Sequence, residues 1–286
     1  MPRWWPAPAK LNLYLHVTGR RADGYHLLDS LVAFADIGDR LSAVAAPRLS
    51  LDLAGPFAAD LAHEEPAKNL VWRAALALAS RLGRPAEAAL TLEKNLPVAS
   101  GVGGGSSDAA AALKALTALW QAPLDEAALC ALAAELGADV PVCVIARPSF
   151  FGSIGETIDA APPLPPAPVV LVNPGVALPT AAVFQARTGA FSAPARFASP
   201  PATVSELALL LAERRNDLTD AALGLVPEIG DVLERLAGQP GALVARMSGS
   251  GATCFALFAT REAAEAATVA LAAEQPRWWV AAGTLA

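Results

Sequence analysis

Cysteine is scarce in this chain of 286 residues: Cys130, Cys143 and Cys254 lie far apart among apolar neighbours. An odd, scattered set offers neither a disulfide framework nor the paired spacing of a zinc site, so buried free thiols are expected. Charge is sparse too. Only 17% of the residues are Asp, Glu, Lys or Arg, and 21 basic side chains against 27 acidic ones leave a net charge of −6. No dense Lys/Arg run occurs, so the electrostatic footprint of a nucleic-acid binder is missing and an anionic ligand has to be held locally. Apolar stretches are interrupted by charges or prolines before reaching the roughly 20 residues of a membrane span. The opening MPRWWPAPAKLNLYL has no apolar core ahead of a small-residue cleavage site, and Pro2, Pro6 and Pro8 break any helix there. A cytoplasmic protein without a membrane partner is expected.

What the chain does have is apolar material, 54% of its residues, which is ample for a core and too much for a disordered polymer. Its length favours two packed domains. The proline-rich stretch 162–168 is the candidate seam, giving an N-terminal domain over 1–160 and a C-terminal domain over 161–286.

Residues 10–17 alternate, with Leu11, Leu13, Leu15 and Val17 on one face and Lys10, Asn12, Tyr14 and His16 on the other, the pattern of a strand. A turn over 20–24 and a second strand over 27–37 follow. Asn69 precedes a helical pattern and is placed to cap it, 89–93 reads as a strand, and 109–120 is a run of strong helix formers. A further helix over 129–136 has Gly137 at its end. Beyond the seam, 169–172 reads as a strand, and 205–213 and 227–237 read as helices. The end of the chain has a strand, turn, strand, helix, strand rhythm: 242–246, 253–258, a helix capped by Thr260, and 278–282.

The most unusual stretch is Pro97-Val98-Ala99-Ser100-Gly101-Val102-Gly103-Gly104-Gly105-Ser106-Ser107, directly before the helix. Glycines without Cβ atoms let main-chain N–H groups close around an anion, and a helix start adds unpaired donors and the positive end of its dipole. A tight connector would use the same glycines. No Lys-Ser or Lys-Thr follows, so the stretch is not a Walker loop, and Ser106 stands where G-x-G-x-x-G needs its last glycine. A nicotinamide dehydrogenase therefore loses its only support.

PVASGVGGGSSDAA resembles the phosphate-binding motif of the GHMP kinases, the family named for galactokinase, homoserine kinase, mevalonate kinase and phosphomevalonate kinase. PAKLNLYLHVTGRRADGYHLLDSL, LGADVPV, VNPGVALPT and MSGSGATCFALF resemble further segments of the family in the same order, so the likeness spans nearly the whole chain. The resemblance implies an α+β two-domain fold, with an N-terminal domain similar to ribosomal protein S5 domain 2 and a ferredoxin-like C-terminal domain. It implies transfer of the ATP γ-phosphate, with Mg²⁺, to an alcohol. The G-R-R-x-D-G-Y-H stretch is similar to the branch whose acceptor is a cytidine diphosphate-linked methylerythritol, phosphorylated on its 2-hydroxyl on the non-mevalonate route to isoprenoid precursors.

Residue by residue, the resemblance assigns Asp139 to the acceptor hydroxyl and Lys10 to the charge that moves with the phosphoryl group, as the catalytic pair. It assigns residues 97–107 to the ATP phosphates and Asn69 to the adenine pocket, although a plain helix cap also explains Asn69. Tyr25 and His26 go to the cytidine end, Asn12 to a substrate hydroxyl, and Gly249 and Gly251 to a loop near substrate, which a tight hairpin would also require. No metal ligands are specified. A monomer or a homodimer is compatible with the sequence, and the alternatives are a kinase acting on another small alcohol or a nucleotide-binding sensor without catalysis. Ser100 stands where many family members have Gly or Ala, and the region after Gly189 is Ala/Pro-rich and hard to align.

Overall fold

A computed structural model describes residues 2–285. In chain order its elements begin with β1 (Trp4–Arg20), β2 (His26–Val44), β3 (Ser50–Ala54), α1 (Ala58–Leu61), α2 (Leu70–Arg81), β4 (Ala89–Glu93) and α3 (Gly104–Leu119). Next come α4 (Glu126–Ala134), α5 (Val140–Ile145), β5 (Ser149–Ser153), β6 (Thr157–Ala160), β7 (Ala167–Asn173), α6 (Thr180–Ala186) and α7 (Val204–Ala212). The chain ends with α8 (Thr219–Leu225), α9 (Glu228–Ala237), β8 (Ala242–Met247), β9 (Cys254–Phe258), α10 (Arg261–Glu274) and β10 (Trp279–Leu285).

Packing groups these elements into two compact units that do not follow a single cut after residue 160: one holds 1–9, 38–98 and 103–146, the other 10–37, 99–102 and 147–286. Strands β1 and β2 each contribute to both. In the first unit β4 pairs antiparallel with the end of β2 and parallel with β3, and α2 packs along α3. Helix α3 is nearly all alanine in its middle, and Ala109, Ala110, Ala111 and Ala112 are all buried. Side chains this small let neighbouring helices approach on several faces, which a helix with one apolar stripe does not need.

The second unit contains an antiparallel sheet in the order β10-β7-β9-β8, with α9 leading into β8 and α10 joining β9 to β10. That is the ferredoxin-like order expected for the C-terminal region. Its core follows from two periodicities. Val170 and Val172 on β7 and Cys254, Ala256 and Phe258 on β9 are spaced by two, while Ile229, Val232 and Leu236 on α9 and Ala264, Ala267 and Leu271 on α10 are spaced by three and four. All of them meet in one buried cluster. Each buried Val, Leu, Ile or Phe there adds about 1.5–3 kcal/mol.

Among the described residues four helix caps are supplied by side chains, two of them, Asn69 and Thr260, where the sequence places them. Asn69, Asp125, Thr203 and Thr260 accept from the N–H groups of Val71, Ala128, Glu206 and Ala263. Helix α3 starts earlier than the expected 109, because Gly103 at φ 64° turns the chain and the next two glycines already lie in the helix. Strand β1 is longer than the expected 10–17 and includes Pro6 and Pro8. Its only partner strand among the described residues is β2, so it tolerates prolines that donate nothing to a ladder. Cys143 and Cys254 are buried as expected, whereas Cys130 is half-buried. No helix among the described residues is long and apolar enough to cross a membrane.

Candidate active site

The glycine-rich stretch is held at both ends by main-chain and buried polar contacts. In the first unit, the helical bonds of α3 begin with Ser107 N–H donating to Gly103 O at 2.9 Å, so the N–H groups of Gly104, Gly105 and Ser106 have no carbonyl ahead of them inside the helix. This is the donor set that phosphate oxygens seek. Ser107 is buried and its hydroxyl donates to Pro8 O at 2.7 Å, while Ser106 is partly exposed.

Behind this helix start lies a cluster that the sequence reading missed. Lys94, at the end of β4, donates to Asp108 in α3 at 2.7 Å and also bonds Asp39 on β2; all three side chains are buried. Asp39 Oδ1 in turn accepts the N–H groups of Asn95 at 2.5 Å and Leu96 at 2.8 Å, the residues that lead into Pro97. The chain before the glycines and the helix after them are thus tied to one ammonium. Two carboxylates facing one cation in a buried place cannot both ionise cheaply. Burial, only partly offset by the Lys94 ammonium and reinforced by Asp39, pushes Asp108 up to about 8. Lys94 is held in its charged form, because the two carboxylates outweigh its own burial.

Asn69 and Asp139 also belong to the first unit. Asn69 caps α2, its Oδ1 accepting from Val71 N–H at 2.9 Å. Asp139 is partly exposed and precedes α5, whose second residue is Pro141; its side chain is not spent on capping that helix.

The second unit holds Lys10, Asn12, Tyr25, His26, the segment 99–102 and the loop 248–252. The polar face of β1, predicted from alternation, is buried: Lys10 is 5% exposed, Asn12 2% and Tyr14 0%. Main-chain Lys10 N–H donates to Val102 O at 2.8 Å, and Thr253 N–H to Ser100 O at 3.1 Å. Lys10 Nζ donates to Asn12 Oδ1 at 3.1 Å and sits 5.9 Å from the centre of the Phe151 ring. The glycine segment passes so close to the 248–252 loop that a Cβ on Gly101 would meet Gly251 O at 2.5 Å and Ser248 O at 2.8 Å. Asn216, another residue not foreseen, donates to Met247 O and Gly249 O at 2.8 Å each and so fixes that loop.

Tyr25 is 62% exposed at the end of the 20–24 turn. His26 stacks on Phe184 of α6 with ring centroids 5.2 Å apart and an interplanar angle of 27°. Burial, with Arg20 and Arg187 nearby, holds its imidazole below the ordinary value, so at neutral pH it offers one donor and one acceptor. Phe184 was missed because it lies in a short helix of 7 residues inside the segment 180–186, where no pattern marks it.

The structure therefore assembles Lys10, Asn12, Ser100, Gly101, Val102 and Gly249 in one unit, and sets Asn69, Gly103, Gly104, Gly105, Ser106, Ser107 and Asp139 in the other. The GHMP kinase N-terminal domain matches residues 69–147 and the GHMP kinase C-terminal domain matches residues 199–277. A protein of Cereibacter sphaeroides named 4-diphosphocytidyl-2-C-methyl-D-erythritol kinase is 54% identical over 284 residues, covering 96% of each chain. One of the same name from Paramagnetospirillum magneticum is 50% identical, over 98% of this chain and 97% of its own. A crystal structure of 4-(cytidine 5'-diphospho)-2C-methyl-D-erythritol kinase superimposes with a TM-score of 0.80 at 37% identity, covering 99% of both chains. A homoserine kinase from Cytophaga hutchinsonii, at 18% identity and a TM-score of 0.70, shares the fold. With both GHMP domains matched in order and relatives this similar along its whole length, the chain belongs to the GHMP kinases, in the family of the 4-diphosphocytidyl-2-C-methyl-D-erythritol kinases.

Proposed function

We propose that this protein transfers the γ-phosphoryl group of ATP to the 2-hydroxyl of 4-diphosphocytidyl-2-C-methyl-D-erythritol, in the cytoplasm. The observation that carries the kinase reading is a buried lysine and asparagine on β1, the lysine hydrogen-bonded by its main chain to the glycine-rich segment that runs into a helix start and the asparagine tied to that segment through the Ser248 hydroxyl. Support for the acceptor comes from relatives at 50–54% identity that bear this alcohol's name, and from the Tyr25–His26 pair.

In the proposed reaction the acceptor oxygen bonds the γ-phosphorus, the bond from that phosphorus to the β–γ bridging oxygen breaks, and ADP leaves. Asp139 takes the hydroxyl proton as attack proceeds, because an alcohol is a poor nucleophile until it loses one. Lys10 lends positive charge to the moving phosphoryl group, in keeping with phosphoryl transfer being mostly positioning and electrostatics. Asn12 orients a substrate hydroxyl, and Tyr25, His26 and Phe184 take the cytosine with ring faces and imidazole nitrogens. Residues 97–107 hold the ATP phosphates, with Gly249 and Gly251 beside the substrate, and Asn69 lies toward the adenine.

No group of three His, Cys, Asp or Glu side chains suited to a metal occurs among the described residues. Magnesium would be held chiefly by nucleotide phosphates and water, with the partly exposed Ser106 hydroxyl the group at the helix start suited to it. The ion would neutralise phosphate charge. The division into domains over 1–160 and 161–286 belongs to the same proposal, the matched regions 69–147 and 199–277 falling on either side of it.

The test is coupled ADP release with ATP and Mg²⁺, offering the cytidine substrate beside mevalonate and homoserine, with product mass as the check. Turnover confined to the cytidine substrate, and a kcat loss of about 100-fold or more in Asp139→Asn, is expected. Turnover on another alcohol would sink the substrate assignment while keeping a kinase. ATP binding without turnover on any acceptor would favour a sensor.

A further inference from the structure

We propose that Ser30, on β2, is a positioning residue for the Lys10 ammonium, acting through Asn12. This rests on the kinase reading for its consequence, not for its geometry.

Three hydrogen bonds form a chain whose direction is fixed by chemistry. Lys10 Nζ can only donate, and it bonds Asn12 Oδ1 at 3.1 Å. The Tyr14 carbonyl can only accept, and the Ser30 hydroxyl lies 2.5 Å from it, so the single hydroxyl proton of Ser30 goes there. What remains on Ser30 Oγ is lone pairs, and these take the Asn12 Nδ2 donor at 2.8 Å. An amide can ordinarily exchange its oxygen and nitrogen by turning about one torsion. Here a flipped Asn12 would point N–H groups at an ammonium on one side and its oxygen at a hydroxyl with no proton left on the other. Both ends of the chain forbid it.

The remaining freedom of Asn12 is small. Its backbone N–H donates to Ser248 Oγ at 3.2 Å, and that hydroxyl donates to Gly101 O at 3.1 Å, so the residue is also tied to the glycine segment. Tyr14, whose carbonyl receives the Ser30 proton, is itself fully buried with its hydroxyl donating to Asp29 at 2.9 Å. Ser30 is 0% exposed and Asn12 2%, so no water replaces a lost partner without entering the core. With the backbone pinned, the side-chain torsion of Asn12 is what stands between one orientation and two, and Ser30 decides it. Lys10 then meets a fixed oxygen acceptor on one side. Ser30 carries no charge and lies 20 residues from Lys10 in the chain, so only the fold joins them.

Ser30→Ala removes the acceptor for Asn12 Nδ2. The expected result is a fall in kcat of about 10- to 100-fold with KM for ATP within about twofold, the size expected when a reacting group is displaced by an ångström or less. Ser30→Thr keeps the hydroxyl and is expected to recover most of the rate. Asn12→Asp supplies two equivalent oxygens and leaves no amide orientation to decide, so adding Ser30→Ala to it is expected to cost little more. That non-additivity is what a generic packing defect would not produce.

Unchanged kcat in a folded Ser30→Ala variant, or full additivity with Asn12→Asp, overturns the proposal. If the wild-type protein turns over no alcohol, the functional reading fails, and the relay is judged by the side-chain amide resonances of Asn12 in nitrogen-15 spectra. Two distinct protons protected from exchange in the wild type, and loss of that protection in Ser30→Ala, sustain it. Identical Asn12 signals in the two proteins refute it.

Discussion

Removing a charge from a buried cluster tests it more sharply than removing a surface pair. Lys94→Met leaves Asp39 and Asp108 facing each other without their ammonium, and a loss of about 3–5 kcal/mol in unfolding free energy is expected from denaturant melts. A loss under about 1 kcal/mol would mean that the carboxylates simply share a proton. Asp108 gives this cluster a pH signature. The folded chain holds its proton up to about 8, whereas the unfolded chain releases it near 3.8, so the folded state binds more protons over that interval. Stability contributed by the group is therefore complete below the lower value and drains as pH rises toward about 8, by up to about 1.4 kcal/mol per pH unit. The stability difference between wild type and Asp108→Asn is expected to shrink from pH 5 to pH 8 and to stay level above that. A difference independent of pH would show Asp108 ionised throughout. Gly101 offers a third test at this scale, since its φ is 79° and a Cβ there would press on two main-chain oxygens. Gly101→Ala is expected to lower both the melting temperature and kcat, at a cost of about 1–3 kcal/mol.

Elements with a clear periodicity were legible from the sequence, and those that depend on distant partners were not. The alternation of β1 placed Lys10 and Asn12 on one side correctly, but nothing local said that this side is as buried as the other. Segments from elsewhere in the chain cover it, Ser30 on β2 and Phe151 on β5 together with the loops that hold Ala193 and Ser248. Lys94, Asp39 and Asp108 escaped for the same reason: 55 residues separate Lys94 from Asp39, and no spacing rule connects them. The short elements α5, β5, β6 and α6 fall below the length at which a pattern is distinguishable from chance. Asn69 was legible as a cap and ambiguous as a ligand, and one pair of variants separates the two. Asn69→Ala is expected to cost about 0.5–2 kcal/mol of stability through the lost bond to Val71 N–H. Asn69→Ser retains a capping oxygen, so it should keep the melting temperature while raising KM for ATP. An unchanged KM in the serine variant would leave Asn69 a cap alone.

For the whole molecule, the interleaving of the two compact units was out of reach of a reading that looked for one linker. The proline-rich stretch 162–168 is real, yet β1 and β2 carry the chain through both units before it is reached. Net charge, by contrast, could be read at once and has a kinetic consequence. A chain of net charge −6 that binds two phosphate-bearing ligands gains nothing from long-range attraction. In the proposed reading, recognition comes from the helix-start N–H groups, Lys10 and the ring stack of His26, all acting within a Debye length of about 8–10 Å at ordinary salt. Raising ionic strength from low to physiological values should then leave kcat/KM for both substrates within about threefold, or raise it slightly by screening the repulsion. A steep fall, tenfold or more, would mean that a local positive field reaches beyond the site and overrides the net charge. Arg187, Arg214, Arg215 and Arg246, grouped by contact and sequence in the second unit, would then be the place to neutralise one at a time.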